Sequence, residues 1–170
     1  VLQDCLVPKD AILPKSGGIK SPLMCLTQAR YGIAWGGIGA AMACYDEALS
    51  YSKARIMFGK PIGQTQLQQS RLADMLTEIT KAQLLTLQLG RLKDKGTMTS
   101  DQVSLAKRNN INMACEAARE ARRLLGANGI LAEYHSMRHM ANLESVYTYE
   151  GTHDMHTLIL GQAVTGLPAF

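Results

Sequence analysis

Ionisable and hydroxyl side chains concentrate in one run of this sequence, Val146-Tyr147-Thr148-Tyr149-Glu150-Gly151-Thr152-His153-Asp154-Met155-His156. Glu150 is its centre. A carboxylate followed at once by Gly151 and Thr152 sits where the chain is expected to turn into a helix, so a helix's positive end and free N–H groups lie close by. Such a place suits a general base or an anion site, and it equally suits a first-turn glutamate that complements the dipole. Glu150 and His153 also make Glu-x-x-His, the unit that di-iron bundles use twice. Glu133 and His135 stand two apart and no second Glu-x-x-His occurs, so no metal site is expected.

Three further places could do chemistry. Arg55-Ile56-Met57-Phe58-Gly59 puts a guanidinium and an aromatic at a helix end beside a glycine turn; this is ordinary dipole complementation, or a diphosphate or ribose contact for which the arginine fork is suited. Gly126-Ala127-Asn128-Gly129 is a helix C-cap, or a turn that lets a phosphate approach backbone. Arg30 is expected in the first turns of a helix, where the dipole disfavours a cation.

The elements that must carry these residues are helices. Residues 1–20 read as an entry segment: Val1-Leu2 and Cys5-Leu6-Val7 are short and extended, Pro8 and Pro14 deny a helix, and Gly17-Gly18 is a loop. They are expected to be the remnant of a preceding β-domain and linker, and because the first residue is Val1, the chain is expected to come from something longer. Ser21-Pro22 then predicts an N-cap with proline at the first helical position, and a long helix runs from there towards Gly59-Lys60-Pro61. Along it Gly32, Gly36 and Ala40, with Gly37, Gly39 and Ala43 nearby, predict close approach of another helix. Thr65 with Gln68 predicts a capping box opening a second helix, on which Leu72, Met75, Leu76 and Ile79 fall at helical spacing. Residues 84–92 are apolar nearly all round, which predicts burial on more than one face and an oligomer contact. Asp94-Lys95-Gly96 ends that helix. Thr99 and Gln102 cap a third, whose stripe of Val103, Ala106, Asn110, Met113, Ala117, Ala121 and Leu124 has bundle spacing. A shorter helix over about 132–142 and a last one over about 152–161 complete an all-α, antiparallel four-helix bundle with a broken last helix, occupying residues 21–170.

Composition agrees. A length of 170 residues suits one domain with a self-supporting core. Aromatics are only 5% while Ala, Leu, Gly and Met are plentiful, favouring closely packed helices. The net charge of +4 comes from 18 basic and 14 acidic residues without a run of like charge, so nucleic acid is not an expected partner. Apolar stretches fall short of the roughly 18 residues that span a bilayer, and a soluble domain is expected. Cys5, Cys25, Cys44 and Cys115 show no CxxC pairing and read as buried thiols of a reducing compartment.

Taken together and in order, Ala29-Arg30-Tyr31-Gly32-Ile33-Ala34, Arg55-x-x-Phe58-Gly59-x-Pro61, Leu72-Ala73-Asp74-Met75, Leu125-Gly126-x-Asn128-Gly129 and Tyr149-Glu150-Gly151-Thr152 resemble the C-terminal domain of the acyl-CoA dehydrogenase family. Trp35-Gly36, Gly90-Arg91-Leu92-Lys93-Asp94, Lys107-Arg108-Asn109-Asn110 and Thr152-His153-Asp154-x-His156 are similar to the members that oxidise glutaryl-CoA. The resemblance implies a three-domain FAD enzyme assembled as a homotetramer, of which this chain is the last domain. It implies that Glu150 abstracts the α-proton of the thioester while a hydride leaves the β-carbon, and that a glutaryl product then loses carbon dioxide. Electron-transfer flavoprotein is the implied electron acceptor and the mitochondrial matrix the expected compartment. The implied substrate contacts are Leu23, Met24, Cys25, Leu26, Thr27, Gln28, Ala29, Arg30 and Gly151. The implied FAD contacts are Arg55, Gln66, Arg123, Leu124, Leu125, Gly126, Ala127, His153, Asp154, Met155 and Phe170, some serving a neighbouring subunit's flavin. Ala127 and Met24 stand where the family commonly has glycine. The alternatives are another acyl preference, or a catalytically silent oligomerisation module when the chain is alone.

Overall fold

The computed structural model describes residues 1–169; Phe170 lies outside the described residues. Residues 1–19 form an exposed, extended arm with one 3-10 turn at Lys9–Ala11. The strand-like character read into residues 1–7 has no pairing partner in the described chain, and without a ladder it forms no strand.

Helix α1 spans Lys20–Ala54. It begins before the expected cap: Ser21 lies inside the helix, where its Oγ accepts from the Gly17 N–H at 2.9 Å. It also ends before Gly59, because Arg55 turns extended and opens a small antiparallel hairpin, β1 (Ile56–Met57) and β2 (Lys60–Pro61). Phe58 and Gly59, both at positive φ (52° and 79°), form its two-residue turn, the backbone that matches the twist of a tight hairpin. Helix α2 spans Gln66–Asp94. The box expected at its start does not form, since the Thr65 hydroxyl donates to the Ile62 carbonyl (2.7 Å) while Gln68 accepts from Arg71. The equivalent box does open α3 (Ser100–Leu125), where the Thr99 N–H donates to Gln102 Oε1 at 3.0 Å.

The α3 stripe read from spacing is buried throughout, and α1 lies along it in a parallel sense. The close approach is at Gly37, where an added Cβ would meet Ile111 at 2.5 Å; Gly32, Gly36 and Gly39 have open space instead. Ala34, Ile38, Ala41, Cys44 and Ala48 continue this buried face. Asn110, wholly buried, donates from one amide nitrogen to the Ala34 carbonyl of α1 (3.0 Å) and to Thr86 Oγ1 of α2 (2.6 Å), tying three helices together. On α2, Leu72, Met75 and Ile79 enter the core, whereas Leu76, Leu84 and Leu87 stay exposed. Of the cysteines, only Cys44 is fully buried; Cys115 is half-buried and Cys5 and Cys25 are exposed, because they lie on the arm and on the open side of α1.

A 3-10 segment, Gly126–Ile130, follows α3, and the broken fourth helix is α4 (Ser136–Thr148) then α5 (His153–Thr165), both antiparallel to α3. Helix α4 starts four residues later than expected because its cap is not local. The Glu47 carboxylate of α1 accepts from the His135 N–H (2.8 Å), the Ser136 N–H (2.9 Å) and the Ser136 hydroxyl. No helix of the described chain is long and apolar enough to cross a membrane.

Burial raises the Glu47 carboxyl's pKa, but the bonds from His135 and Ser136 outweigh it and hold the group below its ordinary value of 4.5. Its stabilisation is therefore complete above pH 4.5 and is lost as the pH falls through the lowered value. Glu47→Ala is expected to cost roughly 1–2 kcal/mol at neutral pH, with the gap to wild type closing in acid. Thermal melts at pH 7 and pH 3 check both.

Candidate active site

Helix α4 ends at Tyr149, and Glu150 (φ 57°) and Gly151 (φ 87°) then reverse the chain through two successive left-handed residues. For Glu150 this backbone costs about 1–3 kcal/mol and needs support from its surroundings. Thr152 closes the reversal as N-cap of α5, its hydroxyl accepting from the Met155 N–H at 3.2 Å.

Support comes from two helices. From α1, Arg30 Nε donates to the Glu150 carbonyl at 2.8 Å. From α3, Lys107 is 1% exposed and its Nζ donates to the carbonyls of Val146 (3.0 Å), Tyr149 (2.8 Å) and Gly151 (2.7 Å). These are the free carbonyls at the end of α4 and its turn, where a cation is favoured. Beneath the turn lies His156 of α5, fully buried, with neither ring nitrogen hydrogen-bonded. Burial, then the Lys107 and Arg30 charges, push its pKa down to about 4, so the ring is neutral at working pH; the Glu150 and Gly151 carbonyls pull weakly the other way. Burial and Arg30 lower Lys107 to about 8, with Glu150 opposing. Glu150 Oε2 is itself buried without a partner, so the carboxylate has an acceptor to offer to a proton.

Leu23, Met24, Thr27 and Arg30 line a cleft of about 480 Å³ with Ser100, Ser104 and Ile159. It meets the turn at Arg30, which both lines it and holds Glu150. Cys25, Leu26, Gln28 and Ala29 fall outside, because a helix rotates neighbouring residues onto different faces; Gln28 instead accepts from Lys93 Nζ at 2.9 Å.

A second cleft, about 350 Å³, is lined by Arg55, Gln68, Arg123, Leu124, Leu125, Gly126, Ala127 and Asn128. Gln66 stands outside it, exposed at the start of α2. Its two guanidinium groups, side-chain amides and glycine turn are a donor set that fits a diphosphate. Lys107 and Arg123 are 16 residues apart on α3, so this cleft is about 24 Å from the Glu150 turn. His153, Asp154 and Met155 belong to the Glu150 end, with the His153 ring stacked on Tyr147 at 4.6 Å. Among the described residues no group of three His, Cys, Asp or Glu side chains could hold a metal ion.

The description "Acyl-CoA dehydrogenase, C-terminal domain" matches residues 16–165. This chain belongs to the acyl-CoA dehydrogenase family. Its fold superposes on glutaryl-CoA dehydrogenase from Mycobacterium smegmatis with TM-score 0.95 and 54% identity, over 96% of this chain and 42% of that one. A second glutaryl-CoA dehydrogenase structure from that organism, in complex with FADH2, gives TM-score 0.94 and 46% identity over the same shares. The mitochondrial short-chain specific acyl-CoA dehydrogenase of Homo sapiens is 32% identical over 94% of this chain and 39% of its own length. The chain thus spans about two-fifths of the length of these relatives.

Lys107 and His156 were not legible as site residues from spacing. The signal was present for Lys107, which lies between Val103 and Asn110 on the buried stripe, a position where an unpaired lysine is anomalous. Gly151→Ala is expected to destabilise the fold by about 1 kcal/mol or more. The new Cβ would lie 3.1 Å from both Arg30 and His156 on a left-handed backbone; thermal denaturation against wild type measures it.

Proposed function

We propose that this chain is the C-terminal domain of an FAD-dependent acyl-CoA dehydrogenase acting on glutaryl-CoA, with Glu150 as the base. The observation that carries the reading is the buried, unpartnered Glu150 oxygen on a turn braced by Arg30, a residue that also lines the neighbouring cleft. An acyl thioester lying in that cleft brings its α-carbon to the carboxylate, and Glu150 takes the α-proton. FAD, when bound, supplies the acceptor for the β-hydride. A glutaryl product then releases its distal carboxylate as carbon dioxide, and electron-transfer flavoprotein is the onward electron acceptor. Arg55, Arg123 and the Gly126 turn would hold the cofactor's diphosphate. The neutral His156 adds no third positive charge to those of Lys107 and Arg30 at the turn.

The 54% and 46% identities to the glutaryl-CoA dehydrogenase structures from Mycobacterium smegmatis support the glutaryl preference; a different acyl preference within the family is the competing outcome. In the full-length enzyme, Glu150→Gln is expected to lower turnover at least 1,000-fold while FAD stays bound. Substantial turnover would remove Glu150 from the mechanism. Comparing kcat/KM for glutaryl-CoA and butyryl-CoA decides the acyl preference.

A second reading, that the chain alone is an assembly module, is favoured by one observation: the diphosphate cleft and the Glu150 turn stand about 24 Å apart along α3. We infer that one flavin draws these two sets of contacts from two copies. We place the exposed Leu84 and Leu87 of α2 at a contact between copies, the tetramer being the expected assembly. The isolated 170-residue chain is expected to be colourless and inactive in a flavin absorption spectrum and a dye-linked assay with glutaryl-CoA; yellow, active protein would overturn this.

A further inference from the structure

We propose that Lys107 is the positioning residue for Glu150, pinning the strained turn so that the carboxylate is presented to the substrate's α-carbon. The inference rests on the reading of Glu150 as the base and adds to it a residue that touches neither substrate nor cofactor.

The geometry is specific. An ammonium has three donors, and all three are spent on backbone carbonyls, those of Val146, Tyr149 and Gly151. Two of these flank Glu150 directly in sequence, and the third is the residue four before it, in the last turn of α4. Together they fix the helix end, the entry to the left-handed pair and its exit. Arg30 holds the remaining carbonyl, that of Glu150 itself. The peptide planes on both sides of the base are therefore clamped, and with them the direction of its Cα–Cβ bond.

Satisfying the free carbonyls at the end of α4 also stabilises the fold, and the test below separates that role from positioning. Lys107 makes no ion pair among the described residues, and burying a charge without a counter-ion is unfavourable. An apolar residue would suit the α3 stripe but would leave the three carbonyls without this donor. The charged and titratable groups facing Lys107 are Arg30 from α1, His153 and His156 from α5 and Glu150 from the turn, while α4 presents a carbonyl. Arg30 opposes its charge, Glu150 favours it and His156 is neutral, and the lysine occupies the position where a cation with three donors satisfies three carbonyls at once. Catalysis by a carboxylate on a backbone that prefers to relax requires such a pin.

The test uses the full-length, flavin-loaded enzyme and a β-thia acyl-CoA, which has an exchangeable α-proton and no β-hydrogen. Exchange of that proton with D2O, followed by NMR, reports the base alone. Lys107→Met, close in volume and without donors, is expected to slow exchange about 100-fold with analogue affinity within threefold and FAD content unchanged. Lys107→Ala should behave likewise and regain at least tenfold on addition of propylammonium, but not of tetramethylammonium, which has no N–H. Exchange within threefold of wild type in Lys107→Met would overturn the proposal. So would a parallel loss of analogue affinity and FAD content, which marks a merely structural lysine. Glu150→Gln, measured alongside, keeps the two readings apart. Exchange that survives Glu150→Gln overturns the base and the pin together, whereas exchange that survives only in Lys107→Met overturns the pin alone.

Discussion

Everything at the Glu150 turn depends on how closely α1 and α3 can lie. Gly37 removes the side chain that would otherwise hold Ile111 off, and Asn110 then bonds the Ala34 carbonyl across the gap while reaching Thr86 on α2. An amide buried with both partners in place is costly to disturb, because each separated group would be left without water. This clamp sets the register of the two helices. About one turn further along, α1 delivers Arg30 and α3 delivers Lys107 to the same reversal. Moving either helix by one residue would rotate its cation away from the turn. The precision of the site is thus inherited from small residues and one amide, none of which touches it.

The electrostatics of the turn follow from its backbone. The end of α4 and the two left-handed residues after it gather free carbonyls, and carbonyls recruit cations. Two cations then make a third positive charge unfavourable, which together with burial keeps His156 neutral despite its place between them. Cations spent on carbonyls leave the carboxylate oxygen unpartnered. A direct ion pair would have stabilised Glu150 and disarmed it as an acceptor; braces through the main chain hold the residue without occupying it.

How much of this could be read from the sequence depended on whether a signal was local. The α3 stripe was legible because every one of its residues, Val103 to Leu124, obeys the same period and is buried. The box at Thr99 formed and the one at Thr65 did not, since the same motif competes with any nearby carbonyl, here that of Ile62. The hairpin after α1 was hidden because its turn needs positive φ at Phe58, a residue that does not advertise it. The start of α4 was misplaced because its cap, Glu47, is almost ninety residues away. Lys107 was missed for a related reason: its partners are backbone carbonyls, which carry no side-chain signature. Glu150 itself became legible only through the order of several weak motifs.

The separation of the two clefts constrains how such a domain works. A straight helix fixes the distance between its residues, so α3 holds Arg123 about 24 Å from the level of the Glu150 turn. Under the proposed reading, each chain gives a base at one end and diphosphate donors at the other, and a complete site needs the donor end of a second copy. A two-fold operator satisfies both ends at once, because the same pair of surfaces meets twice. Rigidity of the bundle is then what couples assembly to chemistry. The Asn110 clamp that aligns Arg30 and Lys107 lies between the two ends, and a helix shift that loosened one site would misplace the donors offered to the other.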